Sequence, residues 1–263
     1  MQESSSETES FARYFTGTSE LQIPELSVKA LFEAGAHYGH RKTVWNPKCK
    51  DFIFDIVDGV TIINLDITVH YWEKARKFIQ DKASTGGRIL FVGTKEISRS
   101  IVQQSASYCG EFYCVNRWLG GTLTNFITIR RSIAKLKDLE TLISKAEDVS
   151  EDVWLSKKEL VRLKRQVEKL NNSLGGIRDM TDLPALLIVF DVRKDITAVR
   201  EANKLQIPIV GIVDTNVDPG MVTFPIPCND DSPKALEILA LNIADAVLRG
   251  KREYAKRSKR KIA

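Results

Sequence analysis

Several features that define common membrane, secreted and disulfide-bonded proteins are missing from this 263-residue sequence. No apolar run approaches the roughly 18–20 residues that a helix needs to cross a bilayer, so we expect no membrane-spanning segment and no membrane partner. The four cysteines include no Cys-x-x-Cys pair, which favours reduced thiols inside a cell. The N-terminus is polar and acidic rather than charged and then apolar, so we do not expect secretion.

Residues that commonly act in catalysis are also scarce. The chain has three histidines, which leaves little for general acid–base catalysis. A strand-like run before Gly93-Thr94-Lys95 invites a nucleotide-binding interpretation, but neither the phosphate-loop pattern nor the three-glycine dinucleotide pattern is present. The sequence also lacks a serine elbow and a nucleophilic cysteine signature. We therefore expect no enzyme and no cofactor. The alternative is a metal- or nucleotide-dependent α/β enzyme using Lys95, Asp191 and Asp214.

Charge is present but unevenly distributed. The formal net charge is +5, yet residues 1–25 carry five acids against one arginine. Residues 249–263 carry eight Lys/Arg against Glu253. Such runs are usually solvated tails, but a tail this basic also binds polyanions. We predict a disordered acidic extension at residues 1–22, which have no sustained periodicity, and a basic C-terminal tail at residues 251–263.

The central pattern is an alternation of short apolar strands and helices, which predicts a parallel sheet covered on both faces. Functional residues should gather where the strands end. A β-hairpin around Asp58-Gly59 is predicted to precede this pattern. The predicted strands are Arg88–Val92, Tyr113–Val115, Ala185–Phe190 and Pro208–Val213, and the predicted helices include Asp66–Ala83, Glu96–Tyr108, Asp195–Leu205 and Ser232–Arg249.

An insertion without strands interrupts this pattern at residues 123–174. Apolar residues recur there at steps of three and four, in two stripes joined by an acidic turn near Glu147–Asp152. This spacing predicts an antiparallel coiled-coil hairpin of two helices. It should protrude from an α/β body formed by residues 23–122 and 175–250. Eleven cations against eight acids over residues 127–172 indicate either a solvated face or a partner surface.

The stretch Asn116–Asn125 combines a cation, a large aromatic side chain, two glycines and two hydroxyls. Arginine can bind phosphate and tryptophan can stack on a base, while glycines allow close backbone approach. The plainer interpretation is a strand-to-helix turn with Trp118 in the core and a threonine cap. If this stretch binds a nucleic acid, we favour Arg117 as the contact and Trp118 as mostly packed, where it holds the Gly120-Gly121 turn.

A second polar stretch, residues 33–48, mixes two histidines, several cations and aromatic side chains, and could hold a phosphate backbone. His37 and His40 are also spaced as metal ligands could be. Two ligands do not make a site, however, because zinc needs three or four. If a structural divalent metal binds, Asp191 or Asp214 would supply the further ligands.

Many short motifs together resemble one family, the second protein of the small ribosomal subunit in its bacterial and organellar form. The resemblance spans about residues 27–250. The sequence departs from the family pattern at Tyr38, Cys49 and Ile127. The matching motifs are Glu33-Ala34-Gly35-x-His37-x-Gly39-His40, Trp45-Asn46-Pro47-Lys48, Ile63-Asn64-Leu65, Phe91-Val92-Gly93-Thr94-Lys95, Asn116-Arg117-Trp118-Leu119-Gly120-Gly121-x-Leu123-Thr124-Asn125, Leu136-Lys137-Asp138-Leu139-Glu140, Leu174-Gly175-Gly176-Ile177-x-Asp179-Met180, Ile207-Pro208, Val213-Asp214-Thr215-Asn216-x-Asp218-Pro219 and Ile226-Pro227-x-Asn229-Asp230-Asp231.

The resemblance implies a flavodoxin-like α/β body with a protruding coiled-coil hairpin. It also implies a structural constituent of the small ribosomal subunit that supports assembly and translation. The implied partners are small-subunit rRNA, neighbouring small-subunit proteins and, in bacteria, an S-one-type mRNA-binding protein. The implied location is the bacterial cytoplasm, with a mitochondrial or plastid ribosome as the alternative. The residues expected to contact RNA are His40, Arg41, Lys42, Trp45, Asn46, Lys48, Lys95, Asn116, Arg117, Trp118, Gly120, Gly121, Thr124, Asn125, Arg130, Arg131, Arg252, Lys256 and Arg257.

Overall fold

A computed structural model describes residue 23, residues 25–147 and residues 156–262. The predicted disordered extension and most of the predicted acidic turn lie outside these residues. The strands are β1 (Tyr38–Arg41), β2 (Ile53–Val57), β3 (Val60–Ile63), β4 (Ile89–Val92), β5 (Phe112–Cys114), β6 (Leu186–Val189), β7 (Ile209–Val213) and β8 (Phe224–Pro227). The α-helices are α1 (Val28–Glu33), α2 (Leu65–Ser84), α3 (Glu96–Cys109), α4 (Phe126–Glu147), α5 (Lys157–Leu174), α6 (Ile196–Lys204) and α7 (Pro233–Ile262). Short 3₁₀ helices cover Pro47–Phe52, Gly175–Ile177 and Pro219–Met221.

The body is built on a five-stranded parallel sheet in the order β5-β4-β6-β7-β8. Counted from β4, this is the order 2-1-3-4-5 of flavodoxin-like folds, so the predicted fold class is confirmed. Successive strand residues point to opposite faces. Phe91 and Ile188 join the core under α2, α3 and α7. Leu90 and Leu187 join the core under α6. The sheet is therefore covered on both sides.

Two strands were not predicted. The edge strand β8 contains Pro225 and Pro227, which read as strand breakers in a sequence. Proline is tolerated at an edge because one side of the strand needs no backbone donor. The other missed strand, β1, is short and polar, and it pairs antiparallel with β3 in a separate three-stranded sheet.

The predicted hairpin is confirmed as β2 and β3, which pair antiparallel. Its turn residues Asp58 and Gly59 have φ of 51° and 79°, the left-handed values of a primed turn. The sequence predicts Asp66 as the N-cap of the next helix, but α2 begins at Leu65. Asn64, rather than Asp66, is its N-cap, and the Asn64 side chain accepts a hydrogen bond from the Asp66 backbone N–H.

Helices α4 and α5 occupy the predicted insertion and pack against each other. Ile129, Ile133 and Leu136 are buried on α4, whereas Leu174 is the buried residue of α5. Lys164 of α5 lies 2.6 Å from the Glu147 carboxylate of α4. Burial is therefore concentrated where the helices join the body. Coiled-coil packing along their length stays a prediction.

The last helix is longer than predicted. We expected it to end at Arg249, but α7 continues to Ile262, so that the basic C-terminal segment begins as helix rather than as an irregular tail. All four cysteines are buried and unpaired. No helix in the described ranges is long and apolar enough to span a bilayer.

Candidate nucleic-acid interface

The loop from Asn116 to Asn125 follows the end of β5, and one buried carboxylate accepts hydrogen bonds from several of its residues. Oε1 of Glu201, on α6, accepts hydrogen bonds from Nε1 of Trp118 at 3.0 Å and the backbone N–H of Gly121 at 2.8 Å. Oε2 accepts from the backbone N–H groups of Leu123 and Thr124 at 2.9 and 3.1 Å. It also accepts from the Thr124 hydroxyl at 3.2 Å. We call these groups the Glu201 centre.

Glu201 is 8% exposed, so its charge would be costly without these donors. Burial raises the pKa of this carboxyl group, but the hydrogen bonds from Trp118 and the loop backbone lower it by more, so that the pKa lies below its ordinary value. Gly121 has φ of +89°, a conformation that favours glycine. It turns the chain so that these donors reach one carboxylate.

The other side of the loop faces outward. Asn116, Arg117, Gly120 and Asn125 are exposed. Within the described part of the chain, the Arg117 guanidinium makes neither a hydrogen bond nor an ion pair, whereas Asn116 donates to the carbonyl of Asn172 at 2.8 Å. A Cβ added at Gly120 would meet nothing within 4 Å. The loop thus has a fixed inner side and an open, cationic outer side.

A second charged group lies at the ends of β4, β6 and β8. The ammonium of Lys95 lies 2.6 Å from Asp230, 2.7 Å from Asp231 and 3.5 Å from Asp191. We call these residues the Lys95 centre. Burial lowers the pKa of Lys95, but hydrogen bonds with Asp230 and Asp231 raise it by more, so that Lys95 stays charged. Lys95 was predicted as an RNA contact, and its ammonium is engaged within the protein.

Burial raises the pKa of Asp230 to about 7, and the carboxylates of Asp191 and Asp214 act in the same direction. Hydrogen bonding to Lys95 opposes this shift. Placing several carboxylates beside one ammonium favours proton uptake by one of them.

Two of the four metal-ligand candidates, His40 and Asp214, come together. Nδ1 of His40 lies 3.1 Å from Oδ1 of Asp214. With Asp230 they form a group whose ligand atoms lie within 4.8 Å of one another. The hydrogen bond to Asp214 raises the pKa of His40. Because the Lys95 ammonium already contacts Asp230, positive charge is supplied here by the protein itself.

The other histidine candidate, His37, does not join this group. Its ring stacks on Phe32 and lies beside Tyr38, at centroid distances of 4.4 and 4.1 Å. Burial lowers its pKa. The fourth candidate, Asp191, contacts Lys95 and accepts a hydrogen bond from the Lys194 backbone N–H. The four candidates therefore do not form one ligand set.

The crevice between β4 and β6, where flavodoxin-like folds bind phosphates, is occupied by a carboxylate. Asp195 accepts hydrogen bonds from the Thr94 backbone N–H at 3.0 Å and from its hydroxyl at 2.7 Å. Burial raises the pKa of Asp195 to about 6. A nucleotide phosphate placed here would have to displace this carboxylate and would meet Asp191 beside it.

The remaining predicted contacts are distributed over several surfaces. Asn46 caps a 3₁₀ helix, where it accepts from the Lys48 backbone N–H, and the Lys48 ammonium pairs with Asp218 at 2.5 Å. Trp45 is half-buried. The exposed residues are Arg41, Lys42, Lys48, Thr124, Arg130, Arg131, Arg252, Lys256 and Arg257.

Sequence reasoning missed Glu201, Asp195 and Asp230. Glu201 carried a signal, because it lies beside Ala198 and Ala202 on the apolar side of an amphipathic helix. An acid at such a position needs several donors. Asp230 was missed together with the strand that precedes it.

The family comparison agrees with these observations. The family model described as Ribosomal protein S2 matches residues 31–250, which is more than half of the chain. The match includes both centres and ends within α7.

Proposed function

The chain belongs to the ribosomal protein S2 family, and from this premise we propose that it binds small-subunit rRNA through the outer side of the 116–125 loop. The family identifies it as a structural constituent of the small ribosomal subunit. The observation that supports an RNA contact is the division of the loop into two sides. Trp118, Gly121 and Thr124 donate to Glu201, which leaves Arg117 pointing away from the core.

Arg117 suits this role chemically. A guanidinium offers five donors in a planar fork that matches phosphate geometry. Because the loop backbone is already fixed, binding would order mainly the Arg117 side chain and little of the main chain. The neighbouring exposed amides of Asn116 and Asn125 can donate to phosphate or sugar oxygens.

The cations at the start of α4 extend the proposed surface. Arg130 and Arg131 are exposed and lie about one and a half helical turns beyond the end of the loop. Neither makes an ion pair with another residue in the described ranges. Neighbouring small-subunit proteins and, in a bacterial ribosome, an S-one-type mRNA-binding protein are the further partners that we propose.

Co-sedimentation tests this function. Small subunits depleted of their own copy of this protein are mixed with the purified full-length chain and separated on a sucrose gradient. We expect the chain to migrate with the subunits. The variant Arg117→Ala should migrate with them less completely, while Lys77→Ala, which removes an exposed cation from α2, should behave like the parent. Failure of the parent to co-sediment, or saturable nucleotide binding without RNA, would contradict the proposal.

A further inference from the structure

Helix α7 continues past the end of the family match. The match ends at residue 250, but the helix runs to Ile262, which adds roughly 18 Å of helix at 1.5 Å per residue. At Gly250 a Cβ would lie 2.4 Å from the Gln80 carbonyl oxygen and 2.6 Å from the Ala83 Cβ. Glycine therefore lets α7 cross α2 closely immediately before the extension begins.

The first turn of this C-terminal extension (residues 251–262) is tied to the body. The Lys251 ammonium pairs with Oε1 of the buried Glu111 at 2.5 Å. It also donates to the carbonyls of Cys109 and Gly110 at 2.6 and 3.1 Å. A cation at these carbonyls also complements the C-terminal end of α3. Tyr254 lies against Gly86, where an added Cβ would be 2.9 Å from its ring.

Beyond these contacts, cations share one side of the helix. Arg252, Lys256 and Lys259 recur at steps of four and three, which places them on the same helical face. All three are exposed, and none pairs with a carboxylate of the described residues. Arg257 differs, because it lies 3.9 Å from Glu253.

We propose that the C-terminal extension is a preformed helix that binds the phosphate backbone of double-helical RNA through Arg252, Lys256 and Lys259. This inference rests on the proposed function, because it assumes a ribosomal RNA partner. Phosphate contact needs only a row of cations, whereas a protein interface needs apolar or aromatic anchors at its centre. The extension contains Tyr254, Ala255 and Ile262 as its apolar residues, and Tyr254 already packs on the body.

The composition also separates duplex from single-stranded RNA. Proteins that hold single strands stack bases on aromatic side chains, and the cationic side of the extension has none. Shape and phosphate contacts are how double-stranded RNA is recognised. Since the helix is anchored before binding, little ordering entropy is lost on association.

Salt-dependent binding of the full-length protein to small-subunit rRNA, and to an RNA duplex of about 16 base pairs, tests the proposal. The triple variant Arg252→Gln/Lys256→Gln/Lys259→Gln should make the slope of log K against log salt shallower by roughly 0.7–0.9 for each lost phosphate contact. The matched control Lys29→Gln/Lys77→Gln/Lys204→Gln removes the same charge from exposed sites elsewhere. It should keep the parental slope.

A second variant separates helix order from charge. Ala255→Pro breaks the helix without removing a cation. We expect weaker RNA binding with an almost parental salt slope, and an unchanged melting curve for the body.

A triple variant with the parental salt slope would overturn the proposal. Binding of the parent and of the triple variant to phosphatidylserine vesicles is measured as well. If the triple variant loses vesicle binding but keeps its RNA binding, the extension binds a membrane surface and the proposal is wrong. Failure of the proposed function is distinguishable, because Arg117→Ala would then bind small-subunit rRNA like the parent while the triple variant still lowered the salt slope.

Discussion

The two charged centres at the carboxyl edge of the sheet balance their carboxylates in different ways. In the Glu201 centre, one carboxylate accepts five hydrogen bonds from neutral donors. In the Lys95 centre, the carboxylates of Asp191, Asp230 and Asp231 share one ammonium group. The hydrogen bonds of the Glu201 centre fix a loop backbone, and the ion pairs of the Lys95 centre link the segments that follow three strands. The difference shows that a buried acid can be satisfied by dipoles or by counter-charge.

The two centres respond to pH in opposite directions. The pKa of Glu201 is depressed by its donors, so its contribution to stability is present above the unfolded pKa and is lost as pH falls. Burial raises the pKa of Asp230 to about 7. The folded protein therefore binds a proton at Asp230 more tightly than the unfolded chain does. The corresponding stability declines as pH rises from about 4 towards 7.

The largest effect should come from removing the acceptor of the Glu201 centre. Glu201→Gln keeps the size of the side chain but replaces one accepting oxygen with an NH₂ group, which leaves buried N–H donors unpaired. We expect a loss of about 3–5 kcal/mol in the free energy of unfolding, at 1–3 kcal/mol for each unpaired donor. Urea denaturation measures it. Arg200→Gln, an exposed change on the same helix, is the control, and a loss below about 1 kcal/mol for Glu201→Gln would contradict the assignment.

The second effect concerns the ammonium of the other centre. Lys95→Met leaves Asp230 and Asp231 without their cation, and should cost about 2–3 kcal/mol at pH 7.5. The loss should be smaller at pH 5, because Asp230 then takes up a proton. Lys48→Met provides the comparison, since its exposed pair with Asp218 should contribute less than about 1 kcal/mol. Equal losses of unfolding free energy for Lys95→Met and Lys48→Met would contradict the larger contribution that we assign to the partly buried Lys95.

The pH dependence of the parent gives a smaller effect. The unfolding free energy of the parent should fall as pH rises from 5 to 8. In Asp230→Asn this fall should be smaller by about 1–2 kcal/mol, because the substitution removes the group with the raised pKa. Urea denaturation at several pH values measures the slope. The account of Asp230 fails if the parent and the variant have parallel profiles.

Chelation should have the smallest effect. Because Lys95 supplies positive charge beside His40, Asp214 and Asp230, we expect EDTA to shift the melting temperature by less than about 1 °C. Differential scanning fluorimetry with EDTA and then with added Zn²⁺ measures this. A drop of several degrees that Zn²⁺ reverses would show that a metal, rather than Lys95 alone, balances these carboxylates.

The sequence predicts the regular parts of the fold because its central strands are short, continuous apolar runs. Strands β4, β6 and β7 are buried on both faces, so their composition alone distinguishes them. The edge strand β8 escapes prediction because its prolines are compatible only with the particular edge position that the fold provides. Strand β1 escapes because it belongs to a small, partly exposed sheet.

The candidate site was predictable only in part. The rule that functional residues gather at strand ends points to the edge of the sheet where Asp191 lies beside Lys95. This rule could not identify Glu201, since that residue lies 77 to 83 positions along the chain from the donors whose hydrogen bonds it accepts. Long-range hydrogen bonds of this kind depend on the packing of α6 against the sheet, which local patterns do not specify.

The central claim is that the 116–125 loop has a packed inner side and an RNA-binding outer side. Measuring both unfolding free energy and affinity for small-subunit rRNA on Arg117→Ala and Trp118→Phe tests it most directly. Arg117→Ala should melt like the parent but bind RNA more weakly, with a salt slope reduced by about 0.7–0.9. Trp118→Phe should lose about 1–2 kcal/mol of stability with its indole hydrogen bond and bind RNA like the parent. An Arg117→Ala protein with parental affinity, or a Trp118→Phe protein that is fully stable but binds poorly, would contradict the claim.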